Sequence, residues 1–269
     1  MTAFATHFAF EFKTGLRNSS QLLMNYLFPL AFYAMMGLVM TQINPGFKDL
    51  LIPSMVILVQ MSSMVLGMPG PLVEMREAGV FRSFKINGVP ALSILAIPAL
   101  STMIHALIVS VFICLTAPAF FKGLAPTNWL AFALITLLGA FTFGAFGMLI
   151  GVVSKSARNT VFFSQIIFLP SIMLGGMMIP LSMLPVSVRP ITGLLPTTHI
   201  MQAYTGYAFG QPTSFNPLTS LIILITSGII AFGMAIYLFN WDSRNNTRRG
   251  TPWMGLLALA PYIIAMFLK

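Results

Sequence analysis

The chain has 269 residues, of which 57% are hydrophobic and only 7% charged, with a mean hydropathy of +0.90. A soluble domain carries roughly 25% charge, so this composition excludes a large soluble domain and points to an integral membrane protein. The formal net charge of +9 comes from fourteen Lys and Arg against five Asp and Glu, and these bases sit at the ends of apolar runs rather than in one patch, which argues against nucleic acid as a partner.

Residues 1–20 carry Phe4, Phe8 and Phe12 at helical spacing with Lys13 and Arg17 turned largely away, although Phe10 spoils the polar side. The pattern predicts an interfacial helix lying on the inner leaflet. The first span is expected over residues 22–40, interrupted by Pro29, and Asn44-Pro45-Gly46 then forms a turn. The second span is expected over residues 50–70 and is read as ending at Pro69-Gly70-Pro71. The run after residue 20 is of spanning length, so it is read as an uncleaved first span rather than a signal peptide.

Residues 74–90, Glu-Met-Arg-Glu-Ala-Gly-Val-Phe-Arg-Ser-Phe-Lys-Ile-Asn-Gly-Val-Pro, hold five of the nineteen charged residues. Pro71 can open a helix and Asn87-Gly88 with Pro90 can close it. Glu74 and Glu77 come first and Arg82 and Lys85 last, the order the helix dipole favours. A helix of about 12 residues is about 18 Å long, too short to cross a bilayer, so a surface helix is expected over residues 71–89. Two readings stand: a basic loop that only holds topology, or a docking element for a partner.

The third span is expected over residues 91–117, the fourth over 129–153 with Gly139, Gly144, Gly147 and Gly151 allowing close helix contact, and the fifth over 161–179. A short basic loop with Lys155 and Arg158 separates the last two. Residues 180–215 combine five prolines with apolar content, which forbids one straight helix and argues against a solvated loop. Short broken helices dipping part-way into the membrane, shielded by protein, fit both facts. The sixth span is expected over residues 218–239. Residues 241–269 then hold a connector and an apolar run, 253–268, which either crosses as a seventh, C-terminal span or lies on the membrane; the crossing is preferred. If the N-terminus is cytoplasmic, inner segments hold Lys13, Arg17, Arg76, Arg82, Lys85, Lys155, Arg158, Arg244, Arg248 and Arg249, and outer ones hold Lys48, Lys122, Arg189 and Lys269. Ten against four is a positive-inside bias and predicts a cytoplasmic N-terminus.

Catalysis needs convergent nucleophiles, acids and bases, or a metal. No acid or base other than His105 falls deep in a span, the single Cys114 cannot form an intrachain disulfide, and the three histidines lie far apart in sequence. Asn25, Gln60, His105 and Gln165 are candidates for a substrate path; each also fits a plain interhelical hydrogen bond. An ion-coupled pump usually carries an intramembrane carboxylate. There is no Gly-Lys dipeptide, hence no phosphate-cradling loop, so this chain is expected to bind no cofactor and to have no ATPase activity of its own.

The order of these elements resembles the type 2 ABC exporter permease family over about residues 1–240. An amphipathic N-terminal helix and two spans lead to a Glu-x-Arg-Glu-x-Gly stretch with Glu74, Arg76, Glu77 and Gly79. Two spans, a basic loop, a fifth span, a broken segment with Gly175-Gly176, Pro180, Leu184-Pro185 and Leu195-Pro196-Thr197-Thr198-His199, and a sixth span follow. The resemblance implies an all-α polytopic membrane protein in the cell (plasma or inner) membrane, with residues 180–215 as the external re-entrant region. It also implies a second permease chain and a cytoplasmic ABC ATPase that binds ATP-Mg. The ATPase-coupling residues are then Glu74, Arg76, Glu77, Gly79 and Arg82, with Lys155 and Arg158 of the basic loop. Export of an amphipathic substrate such as a drug, peptide antibiotic or lipid-like molecule is the expected function; a self-contained secondary transporter or channel is the alternative.

Overall fold

The computed structural model describes residues 3–185, 187–242 and 250–267, and no strand occurs among them. The bases at Arg244, Arg248, Arg249 and Lys269 lie outside the described residues. A helix α1 (Ala3–Arg17) precedes six helices long and apolar enough to cross a membrane. These are α2 (Ser19–Ile43), α3 (Pro45–Glu77), α5 (Ala91–Phe121), α6 (Trp129–Val153), α7 (Ala157–Leu174) and α9 (Pro217–Leu238), with the short helices α4 (Val80–Ile86) and α8 (Pro196–Ala203) between them. Polar side chains set five of the starts: Asn18, Asn44, Asn128, Ser156 and Asn216 each accept from backbone N–H groups of the first turn that follows.

The architecture turns on α3. Every residue from 51 to 65 is buried, and α2, α5, α6 and α7 all pack around it. Its contact with α6 is close: a Cβ at Gly147 would stand 2.0 Å from the Met64 carbonyl oxygen, and one at Gly139 would meet the Gln60 amide oxygen at 2.5 Å. Small residues substitute for a hydrophobic driving force that lipid cannot supply. Interhelical hydrogen bonds add to it. Ser164 Oγ donates to the Val65 carbonyl at 2.5 Å, and Tyr33 and Thr116 share a bond of 2.8 Å between α2 and α5.

An expected interruption at Pro29 and an expected boundary at Pro69-Gly70-Pro71 both give way to continuing helix. A π-helical stretch, Leu23–Leu27, immediately precedes Pro29, and another, Met61–Gly67, precedes Pro69 and Pro71. Proline removes a backbone donor and crowds the preceding turn, and a widened turn accommodates both effects. The helix therefore passes through Pro69-Gly70-Pro71 rather than ending there, and α3 runs about 50 Å, well beyond the hydrocarbon thickness of about 30 Å. The fifth span also shifts: Ser156 caps it early, and Gly175 with the left-handed Gly176 closes it at Leu174.

The bundle has two distinct ends. A basic end gathers α4, the end of α3, Ser154 and residues 239–242, with Phe81 against Phe239 at 5.5 Å. A proline-rich end gathers residues 44–48, 122–128 and 175–216, tied by the Leu124 N–H donating to the Lys48 carbonyl and the Thr127 N–H to the Ala208 carbonyl. The expected broken helices are here: a 3₁₀ turn at Leu181–Met183, one helical turn at Arg189–Thr192, then α8, all eight of whose residues are buried.

The C-terminal run is a 3₁₀ segment, Pro252–Leu259, followed by α10 (Ala260–Phe267). Gly250 lies against Leu238 at the basic end, Ser227 Oγ in mid-α9 donates to the Ala258 carbonyl at 2.8 Å, and Tyr262 reaches His199 of α8 at 5.5 Å. The run thus returns antiparallel along α9. At about 2.0 Å per 3₁₀ residue and 1.5 Å per α residue it covers about 28 Å, close to a full crossing.

Candidate functional site

The charged residues between α3 and α5 do not form one helix. α3 carries Glu74, Arg76 and Glu77 as its last turns, and Gly79 then adopts φ 75°, a left-handed conformation open to glycine at no steric cost. The Gly79 N–H donates back to the Arg76 carbonyl at 3.2 Å, while the Gly79 carbonyl accepts from the Arg82 N–H at 3.1 Å. One residue therefore closes α3 and opens α4. The expected surface helix over residues 71–89 is a bent pair whose first half is the protruding end of the buried central helix.

The seven candidate coupling residues separate by burial. Glu74, Glu77, Arg82, Lys155 and Arg158 are exposed, and Gly79 is half-buried. Arg76 turns inward: it is 7% exposed, and its guanidinium donates to the carbonyls of Val152 at 3.0 Å, Gly151 at 3.4 Å and Ser154. These are end-of-helix carbonyls of α6, which lack intrahelical partners. Arg76 thus caps α6 from α3 and fixes the basic loop that presents Lys155 and Arg158.

Two further residues belong to this surface and were not singled out from sequence. Arg82 forms an ion pair with Asp242, joining α4 to the segment after α9. Ile86, 80% exposed, is an apolar knob at the tip of α4. Asp242 is one of only five acids in the chain, and that rarity was its available signal. Arg76, Lys155, Asn240 and Asp242 also line one cavity of about 130 Å³.

α1 reaches toward this end too. His7 packs against Phe84 of α4 at 5.3 Å, and Phe12 stacks on His105 of α5 at 4.2 Å. Burial lowers the His7 pKa and raises that of Glu11 on the same helix.

Asn25, Gln60, His105 and Gln165 do not converge. Gln60 donates to the Thr136 carbonyl of α6 at 2.9 Å, and His105 Nδ1 shares a 2.6 Å hydrogen bond with the Tyr26 hydroxyl. Gly15 of α1 lies so close to His105 that a Cβ there would sit 2.9 Å from Nε2. Asn25 lies beside Gly67 of α3, and Gln165 is on α7 next to the same stretch of α3. Each of the four keeps one buried polar atom without a protein partner: Asn25 Oδ1, Gln60 Oε1, His105 Nε2 and Gln165 Oε1.

No curated protein and no solved structure matches the chain. The family described as ABC2_membrane, ABC-2 type transporter, matches residues 2–209. That match covers α1 to the end of α8 and includes the bent pair at Gly79. Six spanning-length helices among the described residues, the buried α3 one of them, and a match over well over half of the chain's length agree: the chain belongs to the ABC-2 type transporter family, as a multi-pass membrane permease that is a transport component and not itself a catalyst.

Proposed function

We propose that this chain is the membrane-spanning subunit of an ATP-driven exporter in the cell membrane, with its N-terminus cytoplasmic. Energy comes from ATP-Mg bound to a separate cytoplasmic ATPase that docks at the basic end. The observation that carries this reading is the course of α3: its exposed acids, Glu74 and Glu77, stand at the end of the helix whose stretch 51–65 is buried, past a π-helical stretch and a bend at Met68. Force applied at α4 and the end of α3 is delivered to the centre of the bundle, and Arg76 passes it to α6.

A second permease chain meets this one along α2 and α7. These are the least covered spans, they adjoin each other through Phe28 and Phe168 at 6.3 Å, and Leu27, Leu38, Phe162, Leu169 and Met173 are exposed along them. Asn25 and Gln165 lie on these two helices with unsatisfied amide oxygens, which favours them over Gln60 and His105 as groups beside a path for an amphipathic substrate. The latter two serve helix packing.

The test is a mild-detergent pull-down of the chain expressed with its neighbouring genes, followed by an ATPase assay in lipid nanodiscs. A stoichiometric ATPase whose turnover depends on the permease is expected, and Glu74→Ala/Glu77→Ala should cut that stimulation about tenfold without changing membrane insertion. A chain that purifies without an ATPase and transports in response to an ion gradient would replace this reading with a secondary transporter.

A further inference from the structure

The widened turn of α3 draws its repair from another helix. In an α-helix the carbonyl of residue 65 accepts from the N–H of residue 69. Residue 69 is proline, which has no N–H to give. The Val65 carbonyl is met from α7 instead, where Ser164 Oγ donates to it at 2.5 Å. Ser164 is 1% exposed and Val65 is fully buried, so solvent does not compete for either group. Neither lipid nor an apolar interior supplies a donor, and an unmet carbonyl in such surroundings is costly.

The joint is shared with a second helix. The π-helical stretch Leu23–Leu27 of α2 packs against Met61–Gly67 of α3. The approach is tight, since a Cβ at Gly67 would stand 3.1 Å from Met24 Cβ and 3.4 Å from the Ser62 carbonyl oxygen. α7 lies against the same stretch of α3 and also carries Phe162, Leu169 and Met173, all exposed. Beyond the joint come Leu72 and Val73, both buried, and then Glu74, Arg76 and Glu77. Ser164 thus grips α3 where its buried centre gives way to its protruding end. A π-helical turn closes through i→i+5 rather than i→i+4 bonds, so exchanging one for the other changes the rotation between the flanking coils.

We propose that Ser164 is a positioning residue for energy coupling. Its hydroxyl holds the proline joint of α3 in the widened form, and release of that bond lets the docking end of α3 turn against its buried centre. Movement at Glu74 and Glu77 then reaches α7 through this one hydrogen bond, beside the path that runs through Arg76 to α6. The coupling rests on the transport reading above; the joint itself does not.

The test compares Ser164→Ala, Ser164→Thr, Pro69→Ala and the pair Pro69→Ala/Ser164→Ala, each in the full-length chain with its copurifying ATPase in lipid nanodiscs. Hydrogen exchange reads the joint. Ser164→Ala should speed exchange over residues 61–68 about fivefold, the factor that one lost hydrogen bond supports, while Ser164→Thr keeps the hydroxyl and the slow exchange. Pro69→Ala returns a backbone donor for the Val65 carbonyl, so in that background Ser164→Ala should have little further effect. ATPase turnover reads the coupling. Ser164→Ala should lower the permease-stimulated kcat about fivefold with the KM for ATP and the bound stoichiometry unchanged, and Pro69→Ala should suppress that loss. Unaltered exchange in Ser164→Ala, or an equal effect with and without Pro69, overturns the proposal. Faster exchange with undiminished stimulation overturns the coupling. A chain that purifies without an ATPase defeats the transport reading and the coupling with it, while the exchange comparison still decides the joint.

Discussion

Replacing Arg76 with alanine removes the guanidinium that satisfies three carbonyls where α6 ends. Net hydrogen bonds to charged groups contribute about 1.5–3 kcal/mol each, and they are not additive here because one group makes all three. Arg76→Ala is therefore expected to lower the melting temperature in detergent by about 5–10 °C, with Arg76→Lys intermediate; a melt superimposable on the unaltered protein would mean that the cap contributes nothing. Glu11 gives a test in pH. Its carboxyl is pushed above the ordinary range by burial, so helix α1 when docked binds the proton more tightly than α1 when released. Docking is then firmest below the ordinary carboxylate pKa and weakens as pH rises through the raised one. Glu11→Gln should remove that dependence and slow hydrogen exchange in α1 at neutral pH. Neither property is legible from sequence. Arg76 and Glu77 are alike as letters in a polar stretch, and only carbonyls some 75 residues away decide that one of them is buried.

The spans themselves were readable as elements, because runs of apolar residues bounded by Asn, Ser, Gly and Pro carry their own start and stop signals; the fourth, residues 129–153, agrees residue for residue. The end of the second did not, since Pro69-Gly70-Pro71 is a stop signal by every local rule. The π-helical stretch that carries α3 through it is supported by packing against α6 and α7, which no local rule contains. The bend after it is a glycine with a job. At Gly79 a Cβ would meet nothing within 4 Å, so the constraint is the backbone angle alone. Gly79→Asn should therefore retain the ATPase on purification, whereas Gly79→Pro, which forbids positive φ and removes the N–H bonded to Arg76, should lose most of it. Retention at normal stoichiometry in the proline variant would move the docking surface elsewhere.

At the scale of the whole molecule, the sequence disclosed what class of machine this is but not which surfaces its partners cover. A cysteine at Leu169, in a background with Cys114→Ser, should crosslink two copies within seconds of mild oxidation, while one at Ile229 of α9 should not; the reverse pattern would place the second chain on the opposite flank. The four polar side chains picked out in the spans illustrate the limit of pattern reading, since each keeps one buried polar atom without a hydrogen-bond partner and location alone separates them. The C-terminal run has a consequence of another kind. Eight residues in 3₁₀ form are about 4 Å longer than the same residues in α form. Pro252–Phe267 can thus take up about 28 Å or about 24 Å by exchanging one coil for the other, without tilting away from α9. Rigid spans answer hydrophobic mismatch by leaning or by deforming the lipid around them. This run carries slack in its own winding, so it can change its reach by about 4 Å while it stays packed along α9.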